Sequence, residues 1–199
     1  MATLSTKVKL LNAALGTIRA KGYSATSVDD LCREAGVTKG AFFHHFKTKE
    51  DLGVEAANYW SETTASFFAT APYQKISDPF DRLLGYIDFR KEILQGTLAE
   101  FTCLVGTMVQ ETFASHPALR EACGHSIRAH AESLEPMIEA AMKSRRLNPD
   151  WTARSLALHT QAVIQGAFVV AKANNNADLA AESITHLRRY LVLLFKMKS

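Results

Sequence analysis

The chain is poor in residues that staple or break structure. Its 199 residues include three cysteines and five prolines. Cys32, Cys103 and Cys123 form no C-x-x-C pair and leave an odd count, so free thiols are expected rather than a disulfide framework. The N-terminal stretch is amphipathic and lacks the apolar segment and small-residue cleavage site of a secretion signal, so a reducing cytoplasm is expected. No run suits a bilayer: the longest uncharged run of the C-terminal half, 155–171, is interrupted by His159, Gln161 and Gln165. No segment alternates convincingly at period two, and there is no internal repeat or low-complexity tract. A Ser-His-Asp pattern, a phosphate loop and a carboxylate pair are all missing, so neither an enzyme nor a cofactor is expected. Cys123, His125 and His130 spell C-x-H-x4-H. On one helix His125 would point away from the other two, so no metal site is expected.

What is present is helical periodicity. Hydrophobic residues make up 47% of the chain, enough for a sizeable core. Residues 6–21 put Val8, Leu11, Leu15 and Ile18 on one face, and Gly22 supplies a stop. Ser27 with Asp30 and Thr48 with Asp51 have capping-box spacing. Gly36 suits the left-handed position after a helix, and Thr38 can cap a third short helix. Pro72 closes the helix that starts at Thr48. Asp78-Pro79, His116-Pro117 and Pro149-Asp150 open further helices over about 79–95, 117–144 and 151–173. Another covers about 98–114, and the last, about 178–196, shows Ala180, Ile184, Leu187, Leu191 and Leu194 at helical spacing. The expected architecture is all-α with about nine helices. Residues 1–52 form one domain, a connector helix continues to about 71, and residues 72–199 form a second domain.

Charge is unevenly placed. Residues 1–50 hold 8 Lys/Arg against 4 Asp/Glu, whereas the remainder holds 15 against 16. A basic head on a near-neutral body is what phosphate binding needs. Within that head, Thr26 to Leu52 reads TSVDDLCREAGVTKGAFFHHFKTKEDL. Two short helices joined by a tight glycine turn are the physical form of a helix-turn-helix, whose second helix enters the major groove. Small Gly40 and Ala41 would let the backbone approach DNA. Thr38 and Lys39 could donate to phosphates or base edges, and Lys47 and Lys49 suit phosphates. Ser27 and the free N–H groups after Thr26 would form an anion site at a helix N-terminus.

These residues resemble the TetR family of transcriptional regulators. The resemblance rests on Lys21-Gly22-Tyr23, Thr26-Ser27-Val28, the turn from Ala35 to Gly40, and Phe43-His44-His45-Phe46 through Lys49-Glu50. The family usually carries a tyrosine where this chain has Phe43, which cannot donate a hydrogen bond. Phe43 is therefore expected near sugar or a base methyl, with filling of the domain core as the other reading, and His44 is expected as a further DNA contact. The resemblance implies a ligand-released repressor of a palindromic operator in double-stranded DNA, with activation as the opposite sign. It also implies a homodimer joined through the last two helices. An effector pocket would lie among the helices of the second domain, with Phe101, Met108, His159, Gln165 and Phe168 as candidate lining. One branch of the family senses electrophiles or oxidants through a cysteine matching Cys103, near a lysine matching Lys172. A thiol in the first turn of a helix feels the positive dipole end, which favours thiolate. A helical protein-interaction module without DNA affinity is the remaining alternative.

Overall fold

Helix boundaries in this chain are set largely by side chains three residues apart. The computed structural model describes residues 4–196, and among them there is no strand. The N-terminal helices are α1 (Thr6–Lys21), α2 (Val28–Ala35), α3 (Lys39–His45) and α4 (Lys49–Ala69). A 3₁₀ turn (Pro72–Lys75) leads to α5 (Pro79–Glu92), α6 (Leu98–Phe101) and α7 (Leu104–Thr112). The chain ends with α8 (Pro117–Ser144), α9 (Ala153–Asn174) and α10 (Asp178–Leu194).

The caps explain where these helices start. Ser27 and Asp30 complete a reciprocal capping box on α2. Thr48 and Asp51 exchange two 3.0 Å hydrogen bonds ahead of α4. Gly36 ends α2 at φ 63°, ψ 40°, where a Cβ would be strained. Asp78 accepts from the N–H groups of Phe80 and Asp81, and Pro79 follows it in the first turn of α5. Two starts differ from the sequence expectation. The stretch 98–114 is two helices, because Cys103 is extended (φ −78°, ψ 125°) and serves as the N-cap of α7. The ninth helix starts at Ala153, not at the Pro149 signal, because Thr152 and Ser155 form the capping box.

By contacts the chain divides into two units. The first runs to Thr64 and also takes in Thr102–Ile127; the second is Ala65–Phe101 with Arg128–Ser199. The core of the first unit is continuous from Leu10, Ile18, Leu31, Phe42 and Leu52 to Leu104, Met108, Leu119 and Cys123. Thus α7 and the start of α8 belong, by packing, with the N-terminal helices. The second unit is built on α5, α9, α10 and the rest of α8. Ile87, Ile138, Ile164, Phe168 and Leu191 are among its buried residues. Phe80 stacks on Phe195 at 4.7 Å, and Asp88 pairs with Arg188 at 2.8 Å.

Candidate functional site

The α3 helix has two faces because its aromatic residues are staggered. Phe42 and Phe46 point into the core of the first unit, at 0% and 3% exposure. Burying each ring contributes about 2–3 kcal/mol, so this pair anchors the short helix. Between them Phe43, His44 and His45 face solvent, with Phe43 54% exposed. The Phe43 ring stands edge-on to Phe42 at 5.2 Å, and the two imidazoles stand edge-on at 5.0 Å. Neither histidine is packed away. Thr38 caps α3 by accepting from the Ala41 N–H at 3.2 Å. Gly40 needs no internal explanation: a Cβ there would meet nothing closer than 3.8 Å. A glycine weakens a helix relative to alanine, so its use here fits the approach of something outside the chain. Lys39 pairs with Asp29 at 2.7 Å across open surface. Such a pair contributes little and yields readily to a phosphate. Lys47 is exposed.

Three expected DNA contacts are engaged inside the fold. Thr26 is buried and its hydroxyl donates to the Gly22 carbonyl at 2.6 Å. Ser27 uses both its N–H and its hydroxyl on the Asp30 carboxylate, at 3.0 and 2.8 Å. That carboxylate occupies the start of α2, where the sequence suggested an external anion. Lys21 and Arg33 flank Asp30, and their hydrogen bonds hold its carboxyl well below the usual range. Lys49 Nζ donates to the carbonyls of Tyr23 and Thr26, at 3.1 and 3.0 Å, and lies 4.3 Å from the Tyr23 ring centroid. Burial lowers its pKa.

The same turn is held from its other side by a residue the sequence reading missed. Glu111 on α7 accepts from the N–H of Tyr23 at 3.1 Å and of Ser24 at 2.8 Å. Gly22 has φ 89°, and a Cβ there would also collide with the Glu111 carboxylate. The Tyr23 ring stands edge-on to His116 at 5.5 Å, and burial with Glu50 nearby pushes its phenol to about 12. A carboxylate and an ammonium therefore clamp the α1–α2 turn, one on its donors and one on its acceptors.

The expected ligand and sensor residues fall in both units. Met108 is fully buried in the first unit's core, and Cys103 Sγ accepts from the Gly106 N–H at 3.5 Å. In the second unit, Phe101 meets Phe168 at 6.1 Å. His159 is exposed and lies 5.3 Å from Tyr190, while Gln165 and Lys172 are half-buried on α9. What the structure brings together there is a different set. Gln161 Nε2 donates to the Tyr86 hydroxyl at 3.3 Å, and that hydroxyl lies 3.0 Å from His130 Nε2. Burial and the charge of Arg90 depress the His130 pKa to about 3, so it stays neutral. Arg90 itself lies over the Phe68 ring at 5.2 Å and the Phe168 ring at 5.8 Å. The spacing of Tyr86 and Arg90, one turn apart on α5, was the available signal. Among the described residues no three His, Cys, Asp or Glu side chains cluster as metal ligands, and no helix is long and apolar enough to cross a membrane.

Comparisons with known proteins agree with this geometry. Residues 10–56 match the family model described as bacterial regulatory proteins, tetR family, and residues 79–187 match the tetracyclin repressor-like C-terminal domain. The HTH-type transcriptional regulator LmrA of Bacillus subtilis is 28% identical over 135 residues, covering 64% of this chain and 68% of that one. The HTH-type transcriptional regulator CymR of Pseudomonas putida is 29% identical over 147 residues, covering 74% and 70%. A TetR-family regulator from Agrobacterium tumefaciens shares the fold with a TM-score of 0.81 at 21% identity, covering 93% of this chain and 96% of that one. With the second of the two family models spanning more than half its length, the chain belongs to the TetR family and is a DNA-binding transcriptional regulator of the helix-turn-helix type.

Proposed function

We propose that this regulator is a cytoplasmic homodimeric repressor that leaves a palindromic operator when a small molecule binds its second unit. The carrying observation is the outward face of α3. There Thr38, Lys39, Gly40, Phe43, His44 and Lys47 are all exposed while Phe42 and Phe46 anchor the helix from behind. Ala41, half-buried, completes the N-terminal turn. Two such helices related by a two-fold axis would read equivalent half-sites about 34 Å apart. Support for the dimer comes from α9 and α10, where Leu158, Val169, Val170, Tyr190 and Leu193 are exposed and Gly166 leaves open space. Apolar surface of this kind on two adjacent helices suits a four-helix interface between copies.

The test is selection of bound fragments from a library of genomic duplexes, then titration of the selected palindrome against random duplex. A regulator of this design prefers the palindrome by about a thousandfold or more. Equal affinity for the two would sink the reading. Val169→Glu should turn a sedimenting dimer into a monomer and weaken operator binding with it. Transcription from an operator-bearing template in vitro decides the sign: repression falls as the effector is added, and stimulation by the unliganded protein would make it an activator.

A second reading keeps Cys103 as the sensor. It is favoured by the half-buried position of the thiol and its place at the N-terminus of α7, where the Gly106 N–H points at sulfur. Fixed N–H dipoles stabilise thiolate. N-ethylmaleimide should then release the parent protein from the operator and leave Cys103→Ser bound. Equal release of both would exclude this thiol.

A further inference from the structure

The second unit contains a cation whose in-plane donors have no partner. The Arg90 guanidinium carries five N–H donors in a fixed fork. Among the described residues it makes no hydrogen bond and no ion pair, and its Nε is buried with no acceptor. Buried donors of this strength are almost always satisfied. The carboxylate two residues earlier on the same helix, Asp88, is taken by Arg188 at 2.8 Å. Phe68 and Phe168 offset part of the cost of burying the charge through their ring faces. A ring face engages the positive charge, however, and leaves the edge donors open.

We propose that Arg90 is the anion-binding end of the effector site, and that the effector is a small apolar monocarboxylate. This inference rests on the effector-released reading above and assigns its ligand a chemical class. A carboxylate fits the open edge of a guanidinium as a two-pronged acceptor. A dianion fits worse, because His130 is held neutral beside the same charge and supplies no second cation. The body of the ligand should be flat or short and apolar, since Phe68 and Phe168 flank the guanidinium and Phe101 packs on Phe168. The row of Gln161, Tyr86 and His130 is already internally satisfied. Recognition of charge is therefore left to Arg90.

The experiment compares acids with their uncharged isosteres on the full chain. Benzoate, phenylacetate and hexanoate are titrated by calorimetry beside benzamide, phenylacetamide and hexanamide. At least one acid should bind, and its amide should bind about ten- to a hundredfold more weakly. Arg90→Gln should lose the same factor for the acid only, and Arg90→Lys, which keeps the charge without the fork, should fall between. Circular dichroism checks that the variants keep the parent helicity, and the acid–amide comparison in the parent stands even if they do not. Equal binding of acid and amide, no binding of any of the three acids, or undiminished acid binding by a folded Arg90→Gln would overturn the proposal. Operator titrations without ligand are run alongside. Loss of operator preference there breaks the regulator reading, whereas acid binding that leaves operator affinity unchanged keeps the anion site and removes its effector role.

Discussion

The two units treat their polar groups in opposite ways. In the first, each key charge is closed onto the chain itself: Asp30 onto Ser27, Lys21 and Arg33, Glu111 onto two N–H groups, Lys49 onto two carbonyls. In the second, a neutral row of three side chains sits beside a cation that has no acceptor. A unit that must present a fixed helix to DNA gains from saturation, because every satisfied clamp narrows the geometry of α3 and the turn behind it. On the proposed effector reading, the second unit needs an interaction left unmade for its ligand.

The largest test of that contrast is Glu111→Ala. Removing a charged acceptor from two backbone donors should cost the first unit about 2–4 kcal/mol. Urea unfolding measures the loss, and hydrogen exchange should speed up at Tyr23 and Ser24. Unchanged protection of those amides would mean the clamp is ornamental.

The second unit should instead fail with acid. His130 has an ordinary pKa of 6.5 when unfolded and about 3 when folded, so the unfolded chain binds the extra proton between those values. Its neutral, buried state is fully favourable above pH 6.5 and is progressively undermined as the pH falls toward 3. Stability should drop by about 2 kcal/mol by pH 5 relative to neutrality. His130→Gln should flatten this slope, measured by melting across the range. A slope that survives the substitution places the titration elsewhere.

Smaller effects separate two lysines that look alike in sequence. Lys49→Met keeps the stem against Tyr23 but strips the donor from two partly solvated carbonyls, costing about 1 kcal/mol. Operator affinity should fall with the loosened turn while its salt dependence is kept. Lys39→Ala should leave stability within about 0.5 kcal/mol, because its pair with Asp29 is exposed. It should, however, lower the slope of log affinity against log salt by about 0.9 per half-site. The same loss of slope in Lys49→Met would return Lys49 to the phosphate-contacting set.

The contrast also explains what could be read from sequence. Capping boxes at Ser27–Asp30 and Thr48–Asp51, the glycine end at Gly36 and the Thr38 start were legible because their partners lie three residues away. The resemblance was carried by that same local grammar. Glu111 was not legible, since its partners lie 88 and 87 residues back. Nor was the inward turn of Lys49, whose two acceptors sit 26 and 23 residues away. The assembly of Arg90, Tyr86, His130 and Gln161 needs three helices to pack before all of them meet. At α9 a proline signal at Pro149 was outweighed by a capping box that begins at Thr152, three residues on.

The continuity of the first unit's core limits how this protein can be taken apart. A fragment ending near residue 72 would hold all of α1 to α4 yet lack Leu104, Val105, Met108, Leu119 and Cys123, which close the same core. It would also lose Glu111 and bare the apolar backs of α1 and α4. A swap of DNA-reading heads between relatives therefore has its natural cut points in three places along the chain, after Thr64, Phe101 and Ile127, with Thr102–Ile127 travelling as cargo with the head. A chimera that transplants only the N-terminal helices would inherit the new reading face set on another protein's foundation.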